Sequence, residues 1–376
     1  MKIIIIPHSV WTNIPTRAEY FINHLKNNHE VHLVTWTMPY PLKFETISKN
    51  VLKSREKFTQ KVEKNLFVHH VSRQWIFPPF NNKSFKNQLK EIINEYNIDA
   101  IFSESFIFDF VPSFDDVPVF YDMVDDHLSF FKNAHISQKI IGRVGRVNKA
   151  TTKQLKNSNK TFFVSSVLEE DYKNLCRESV VLPNGVDLKK YERTNVDKYI
   201  DKFNLNEYDV VLGYVGYFGE WSNLNNTVVN VNNFLKEQNG AIVIVGIGPE
   251  VDFLKKNYKD NDRLIFTGMV NSSEIPSITK TFDIGLLPFK KCKYTDAASP
   301  IKYFEYAAAN IKVVSSNLEE VKRINLNNSF FFDKISDISI KLLEAMNSDF
   351  DQNKLNKSIK KFDWNILAKN LSNNLK

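Results

Sequence analysis

Residues 299–315 read SPIKYFEYAAANIKVVS, a helical pattern followed at once by a short strand pattern. Apolar residues recur at helical spacing in the first part, and the last part is a β-rich run. Ser299 and Pro300 are typical of an N-cap and a first helical position. This stretch is one helix followed by one strand, and the same alternation recurs along the whole chain. The repeated alternation predicts the α/β class.

Short apolar runs alternate with helical patterns from the amino terminus onward. Continuous apolar runs are typical of parallel strands that are covered on both faces. The sequence therefore predicts two Rossmann-like domains with doubly wound parallel sheets, an N-terminal one over residues 1–190 and a C-terminal one over residues 191–361. Strands are predicted at residues 2–6, 31–35, 99–102, 117–121, 161–165, 210–215, 241–245, 264–267, 284–288 and 312–315.

The composition narrows the class of protein. Of 376 residues, 43% are hydrophobic and 25% are charged, which is typical of a globular chain. The two cysteines, Cys176 and Cys292, exclude a disulfide framework and a cysteine-rich zinc site. No apolar run approaches the ~18 residues of a spanning helix, and the start, MKIIIIPHSV, is too short for a signal peptide, so we expect a cytoplasmic protein. The net charge of +7 favours anionic partners, unless it reflects a general abundance of Lys.

Two glycine-bearing segments follow predicted strands, where ligands bind in open α/β sheets. Gly216 and Gly219 follow the strand at 210–215, and glycine allows backbone to approach a ligand closely. Gly246-Ile247-Gly248 begins like a dinucleotide fingerprint, but position 251 is Val, and no such pattern follows the first strand. A dehydrogenase is therefore disfavoured, and tight packing turns remain the alternative for both segments.

The segment from Lys293 to Ala309 carries the richest chemistry. Free N–H groups at a helix start bind anions, and Lys302 adds an ammonium in the first turn. Glu305 lies three residues later on the same face and can accept hydrogen bonds from hydroxyls. Phosphate groups at the helix start and ribose hydroxyls on Glu305 would suit a nucleoside diphosphate. The alternative is a Lys–Glu pair on a solvated face.

Several motifs together resemble those of GT-B glycosyltransferases that build cell-surface polysaccharides and glycolipids, including exopolysaccharide glucuronosyltransferases. The resemblance is strong over residues 180–320 and weaker before them. The motifs are Pro183-Asn184-Gly185-Val186-Asp187, Val245-Gly246-x-Gly248-Pro249, Phe266-x-Gly268, Ser299-Pro300-x-Lys302-x-Phe304-Glu305-Tyr306, Val313-Val314 and Phe362-Asp363-Trp364.

This resemblance implies a nucleotide-sugar donor on the second domain, a glycan or lipid-linked acceptor on the first, and a cleft between them. It implies no metal and no cofactor, and the glucuronosyltransferase likeness suggests a UDP-linked sugar. The last segment, residues 362–376, would cross back to the first domain. The donor residues that it implies are Gly216, Gly219, Met269, Val270, Tyr294, Ser299, Pro300, Ile301, Lys302 and Glu305.

Retaining members of the resembled family carry a second Glu at the position of Ala297, with Asp296 beside it here. The sequence therefore favours an inverting reaction, in which a base takes the proton of the acceptor hydroxyl. Asp122, Asp125 and Asp126 follow a predicted strand of the first domain, and crowded carboxylates raise one another's pKa. Asp125 or Asp126 is the preferred base. Lys302 is predicted to be the other catalytic residue. A solvated helix-capping cluster is the alternative.

Two further segments of the first domain suggest contact with an anionic membrane. One is the aromatic loop Trp75-Ile76-Phe77-Pro78-Pro79-Phe80, and the other is a basic helical segment over residues 132–156, from Lys139 to Lys153 in its charged part. A core-packing loop and an ordinary surface helix are the alternatives. No nucleic-acid motif is present, and the pair His69-His70 is interpreted as surface polarity.

Two other functions remain open at this stage. A nucleotide-sugar epimerase of the same fold would need no acceptor. A non-catalytic nucleotide-binding partner of a transferase would be consistent with the absence of Glu at position 297.

Overall fold

The computed structural model describes residues 1–8, 16–36, 58–71, 78–105, 114, 117–133, 143 and 146–375. The chain forms two compact units, Met1–Pro183 with Leu367–Lys376, and Asn184–Ile366. The units divide before the predicted boundary at residue 190. Residues 184–190 belong to the second unit because they hydrogen bond to it. The Asn184 amide donates to Ser299 Oγ at 3.2 Å, and the Leu188 amide donates to Asp363 Oδ2 at 3.2 Å.

A sheet in the order β3-β4-β2-β1-β5-β6-β7-β8 forms the first unit. Neighbouring strands are parallel except β3 and β4, which pair antiparallel. The isoleucines of β1 are fully buried, as expected of a central strand. The strands are β1 (Lys2–Ile6), β2 (Glu30–Trp36), β3 (Phe58–Glu63), β4 (Leu66–Val71), β5 (Ala100–Ser103), β6 (Val119–Met123), β7 (Lys160–Phe163) and β8 (Ser179–Val181).

Amphipathic helices connect these strands. In the first helix, Ala18, Phe21, Ile22 and Leu25 share the buried face, and Thr16 caps its start by accepting from the Glu19 amide. The helices of this unit are α1 (Arg17–Leu25), α2 (Pro78–Tyr96), α3 (His127–Asn133), α4 (Val147–Asn157) and α5 (Ser166–Tyr172).

The second unit is built on a parallel sheet in the order β11-β10-β9-β12-β13-β14. Its strands are β9 (Val210–Tyr217), β10 (Gly240–Ile247), β11 (Leu264–Gly268), β12 (Ile284–Leu287), β13 (Lys312–Ser316) and β14 (Ser329–Phe332). The edge strand β14 is not among the strands predicted from the sequence. Its run of three phenylalanines is short, and pairing with β13 decides its conformation.

Helices flank this second sheet as well. They are α6 (Asp197–Lys202), α7 (Leu224–Glu237), α8 (Pro249–Asn257), α9 (Ile275–Thr279), α10 (Lys293–Asp296), α11 (Ile301–Ala308), α12 (Glu319–Ile324), α13 (Ile338–Met346), α14 (Gln352–Ile359) and α15 (Trp364–Asn374). The residues of α15 from Leu367 onward pack in the first unit. The two parallel sheets with helical crossovers confirm the predicted fold class.

The predicted basic segment over residues 132–156 is not one helix. α3 ends at Asn133 and α4 begins at Val147, and Arg146 before it has a left-handed φ of 50°. Trp75, Ile76, Phe77 and Lys139 lie outside the described residues. Within the described ranges, the longest apolar helices fall short of what crossing a bilayer requires.

The interpretation of His69-His70 as surface polarity is wrong for His69. This side chain is buried, and its Nε2 lies 2.9 Å from Nδ1 of the buried His32 on the neighbouring strand β2. Thr59 on β3 contacts the other nitrogen of His69 at 2.9 Å. Strand β3 was not predicted; it pairs with β4 and places Thr59 opposite His69, while the ring of Tyr96 on α2 packs against His69.

Candidate functional site

The glycines at the carboxyl ends of β9 and β10 have two different roles. Gly216 and Gly246 are paired in register, and Gly246 has a φ of +132°, which favours glycine. A Cβ on Gly246 would overlap the carbonyl oxygen of Gly216, and one on Gly248 would meet the backbone of Phe218. A Cβ on Gly216 would meet no atom of the described residues within 4 Å. Gly246 and Gly248 are therefore packing glycines, and Gly216 borders open space.

The loop after β9 is tied to the start of α8. The Phe218 amide donates to the Ile247 carbonyl over 2.9 Å, and the Glu250 amide donates to the Phe218 carbonyl over 3.2 Å. Glu250 Oε2 accepts from Ser222 Oγ at 2.9 Å and from the Leu224 amide at 2.6 Å. Sequence reasoning missed Glu250, although its place in the first turn of a helix after a glycine pair was visible. These contacts fix the backbone around Gly219.

The donor helix predicted from the sequence is α11, but it begins one residue later than predicted. Pro300 is the N-cap residue and makes no side-chain cap hydrogen bond, so Ser299 is not the N-cap. Instead, Ser299 Oγ accepts from the Asn184 amide at 3.2 Å, and its carbonyl accepts from Asn184 Nδ2 at 2.7 Å. Because the Ser299 hydroxyl accepts from the Asn184 amide, it does not cap α11. No side chain at the N-cap position therefore accepts from the first N–H groups of this helix.

Lys302 and Glu305 form an ion pair on α11, with Nζ and Oε2 2.8 Å apart. The side chains are 25% and 12% exposed, so the pair is not on a fully solvated face. The opposite face is anchored by buried aromatic residues, among them Tyr306, whose hydroxyl accepts from the Val215 amide at 3.2 Å. Since Val215 directly precedes Gly216, α11 is fixed against the end of β9.

Exposed apolar side chains lie at the carboxyl ends of three neighbouring strands. Met269, directly after β11, is 62% exposed, and Tyr217, at the end of β9, is 59% exposed. Ile247 ends β10 between them and is also exposed. The sequence predicted Met269 and Val270 here but missed Tyr217 and Ile247, which the rule of carboxyl-end sites would have found. Val270 is half-buried against the core.

Asp296 has one carboxylate oxygen engaged by neighbouring residues, and Ala297 has no polar side chain. Ala297 is buried, and Asp296 Oδ1 accepts from the Glu319 amide at 3.1 Å at the start of α12. Lys291 Nζ lies 4.0 Å from the same carboxylate. Tyr294, also predicted to bind the donor, is half-buried on α10, two residues before Asp296. Asp296 therefore stabilises the start of α12 through Oδ1.

In the first unit, Asp122 belongs to a buried ion pair. Its Oδ2 lies 2.7 Å from Arg17 Nε, and Arg17 also donates to the carbonyls of Leu182 and Pro183. Burial raises the pKa of the Asp122 carboxyl, and the Arg17 guanidinium opposes that shift. Asp122 is therefore committed to a structural contact.

Asp126 caps α3 through one carboxylate oxygen, while Oδ2 is buried with no hydrogen-bond partner among the described residues. Its Oδ1 accepts from the Ser129 amide at 3.0 Å and from the Tyr172 hydroxyl at 2.8 Å. The capping alternative is thus right for Asp126, although the residue is buried rather than solvated. Asp125 is partly exposed. The two predicted bases therefore have different surroundings, and Asp125 is the more accessible.

Sequence reasoning missed a histidine–glutamate pair at this edge of the sheet. His8 follows β1 and Glu104 follows β5, which are neighbouring strands. His8 Nδ1 lies 3.0 Å from Glu104 Oε2, and the His8 amide donates to the same oxygen at 3.2 Å. Each residue lies two positions after a predicted strand, so their position was the available signal. Among the described residues, no group of three or more His, Cys, Asp or Glu side chains is placed to hold a metal ion.

Residues 195–362 match the sequence pattern of the family "Glycosyl transferases group 1". The matched range lies within the second unit and covers less than half of the chain. A Bacillus subtilis protein named as the teichuronic acid biosynthesis glycosyltransferase TuaH is 32% identical over 81 residues, 21% of this chain and 20% of that protein. The match thus spans about a fifth of this curated relative's length. A Methanococcoides burtonii protein named as a ribosomal RNA small subunit methyltransferase is 27% identical over 161 residues, 40% of this chain and 54% of its own.

Solved structures resemble the chain over its whole length. Sucrose-phosphate synthase from Thermosynechococcus elongatus has a TM-score of 0.76 at 12% identity, covering 99% of this chain and 97% of its own. Anabaena HepE, in complex with UDP, has a TM-score of 0.71 at 14% identity, covering 100% and 99%. The fold is therefore GT-B, and the resemblance inferred from the motifs is confirmed.

The matched range contains every residue predicted to bind the donor, from Gly216 to Glu305. The titratable residues of the first unit, including His8 and Asp125, lie outside the matched range.

Proposed function

We propose that the protein transfers a sugar from a nucleoside diphosphate sugar, UDP-linked, to a hydroxyl of a glycan or lipid-linked acceptor. The observation that carries the proposal is the arrangement at the end of β9. There, open backbone at Gly216 adjoins α11, whose Lys302 provides a cation and whose start provides N–H groups. HepE, a protein of the same fold, was solved with UDP.

Each part of the donor has a candidate partner in the second unit. The diphosphate would lie against the backbone from Gly216 to Gly219, the helix start from Ser299 to Ile301, and Lys302. Glu305 would accept from the ribose hydroxyls, and Met269 with Val270 would adjoin the nucleobase. Negative charge develops on the departing diphosphate, so an ammonium already in place stabilises the transition state more than the ground state. We propose that this charge suffices without a metal, so a chelator should leave turnover unchanged.

We infer that the reaction inverts the anomeric centre. Ala297 stands where retaining members of the resembled family carry Glu, and Asp296 is engaged at α12. Inversion requires a base near the acceptor hydroxyl, and the first unit collects titratable side chains at the carboxyl ends of β1, β5 and β6. The anomeric configuration of the product, read by proton NMR, tests this point, because a retained configuration contradicts it.

We further propose that the first unit contacts an anionic membrane at the cytoplasmic face. Lys149, Lys153 and Lys156 lie on α4 away from its buried face, which includes Val147 and Leu155. Cations near an anionic bilayer contribute ~1 kcal/mol each. Co-sedimentation with phosphatidylglycerol vesicles, compared with phosphatidylcholine vesicles, measures this contact, and equal binding to both contradicts it.

The donor is identified first by a thermal-shift panel of nucleotides and nucleotide sugars, because a ligand that binds the native state raises its stability. UDP release with an octyl glucoside acceptor then compares K302A with the control K256A, an exposed lysine on α8. We expect K302A to lose turnover sharply and K256A to keep it. Turnover of K302A within about threefold of wild type, less than ~0.7 kcal/mol, would remove Lys302 from the mechanism. An isomerised sugar nucleotide formed without acceptor would select an epimerase instead.

A further inference from the structure

The exposed side chains of α14 (Gln352–Ile359) and of the turn that follows it, Lys360–Phe362, are amides and lysines only. They form one surface, the α14 face, which consists of Gln352, Asn353, Lys354, Asn356, Lys357, Lys360 and Lys361. Leu355 and Ile359, one helical turn apart, are buried and form the opposite side of the helix. Because no acidic residue occurs from Gln352 to Phe362, the α14 face carries four positive charges and no negative one.

The charges of the α14 face are not balanced by carboxylates. On α11, α12 and α13, a lysine or arginine lies 2.6–3.0 Å from a carboxylate three or four positions away. On α14, the described side chains form no such pair, and Asp351 instead caps the helix, where its Oδ1 accepts from the Lys354 amide at 2.9 Å. Lys361 Nζ lies 5.0 Å from the centre of the Phe362 ring. Like charges three or four positions apart destabilise a helix, so a bound anion would relieve the repulsion among Lys354, Lys357 and Lys361.

The buried side of α14 packs against the donor helix α11. Leu355, Ile359 and Phe362 belong to the same hydrophobic core as Phe304 of α11, and the centres of the two phenylalanine rings lie 4.7 Å apart. A helix that lies in a bilayer surface inserts an apolar face into the lipid. The apolar side of α14 is already covered, and the α14 face has no apolar side chain to insert. Binding at this face therefore depends on charge and hydrogen bonds.

The side-chain types of the α14 face indicate which anion fits it. The forked guanidinium of arginine recognises one planar carboxylate or phosphate through two hydrogen bonds, whereas the ammonium of lysine is a point charge on a flexible stem. The face has lysines and no arginine, so it favours an anion whose charges are spread along a chain. From Lys354 to Lys361 the helix rises about 10 Å, which is long enough for more than one charged group. The amides beside the lysines can donate to and accept from hydroxyls.

We propose that the α14 face binds an acidic glycan, a chain of sugars that carries carboxylates along its length. The carboxylates pair with the lysines, and the sugar hydroxyls hydrogen bond to the amides. The choice of a glycan rests on the transferase function proposed above, because a chain held here stays on the unit that binds the donor. The negative charge of the occupant rests on α14 alone.

The test measures the binding of fluorescently labelled polygalacturonate by anisotropy, with labelled dextran as the uncharged glycan. Wild type is compared with K354Q/K357Q/K360Q/K361Q, the α14 variant, in which each ammonium becomes an amide. We expect wild type to bind polygalacturonate and not dextran, and its affinity to fall as salt is added, since exposed charges are screened. Four exposed ion pairs together contribute roughly 4- to 10³-fold in affinity, so the α14 variant should lose an amount in this range.

The matched control is K236Q/K255Q/K256Q/K259Q, which removes the same number of charges from exposed lysines at the ends of α7 and α8. Acidic residues stand beside these lysines in the sequence, so the two variants have equal net charge and differ only in where the charge is lost. We expect the control to keep most of the wild-type affinity for polygalacturonate. The thermal midpoint of the α14 variant should stay the same or rise, because repulsion along the helix is relieved.

The outcomes separate this inference from the transferase function. Failure of wild type to bind polygalacturonate, or equal binding by the α14 variant, overturns the assignment of the α14 face. An equal loss of affinity in the control shows attraction to net charge alone and overturns it as well. Binding to phosphatidylglycerol vesicles through the α14 lysines, without binding to polygalacturonate, assigns the face to a membrane instead.

UDP release is measured on the same samples with UDP-glucose, UDP-glucuronic acid and UDP-N-acetylglucosamine as donors and octyl glucoside as acceptor. Selective glycan binding without UDP release from any donor supports the α14 face and removes the transferase function. UDP release without glycan binding supports the transferase function and removes the α14 face.

Discussion

The open space at Gly216 gives a sharp test of where the donor binds. In G216A, the added methyl group would meet no atom within 4 Å in the part of the chain that the structure describes, so the folded chain should accept it. Alanine also has less conformational freedom to lose on folding than glycine, which favours the variant by ~0.5–1 kcal/mol. We therefore expect the thermal midpoint of G216A to stay the same or to rise slightly.

The same methyl group would lie where the proposed diphosphate approaches the backbone. Overpacking of a close contact costs ~1–3 kcal/mol. At ~1.4 kcal/mol for each factor of ten, this predicts about a 5- to 150-fold weaker affinity for UDP. Isothermal titration of UDP into wild type and G216A at the same salt concentration measures the difference.

G246A is the matched control, since Gly246 is the register partner of Gly216 on β10. Its methyl group would overlap the Gly216 carbonyl at a φ of +132°, and such backbone strain alone costs ~1–3 kcal/mol. G246A should therefore unfold at a lower temperature. If G216A binds UDP within twofold of wild type while remaining stable, the donor does not approach Gly216, and the reasoning is refuted.

Two further predictions concern stability. Burial, followed by the charges of His32 and His70, lowers the pKa of His69 from 6.5 to about 4. The neutral His69 ring therefore makes its full contribution to the free energy of unfolding above pH 6.5, and this contribution is lost as the pH falls towards 4. The total loss is about 3 kcal/mol, at ~1.36 kcal/mol per pKa unit. Urea unfolding from pH 7 to pH 4 should show this slope in wild type and a shallower one in H69N, whereas parallel profiles would exclude it. S299A should lower the free energy of unfolding by ~1 kcal/mol by removing the acceptor of the Asn184 amide, and S299T should restore it; an unchanged midpoint in S299A would show that this hydrogen bond contributes little.

Much of the second unit was predictable because its strands are continuous apolar runs with glycine or asparagine at their ends. The helix over residues 301–308 and its neighbouring strand β13 were also visible, since buried aromatic residues recur at helical spacing. The exact start of α11 was not, because Ser299 and Pro300 fit two adjacent positions equally well. A tertiary contact decides between them, as Asn184 takes both polar groups of Ser299.

The first unit was harder to predict. Strand β3 is exposed and polar, so its pairing with β4 has no strong local signal, and without it His69 looks like a surface residue. His8 and Glu104 are almost a hundred positions apart in sequence, and only the adjacency of β1 and β5 brings them together. The carboxylates after β6 were recognised as a group. Their division into an ion pair, a helix cap and an accessible side chain depends on partners from α1 and α5.

The backbone contacts between Phe218 and the residues from Ile247 to Glu250 have a thermodynamic consequence. Because main-chain atoms and packing glycines hold this loop, its conformation is set before a ligand arrives. A diphosphate that binds here would not have to order the loop, so little conformational entropy would be lost on association. A preorganised loop of this kind would therefore bind a diphosphate more tightly than a loop that has to become ordered on binding.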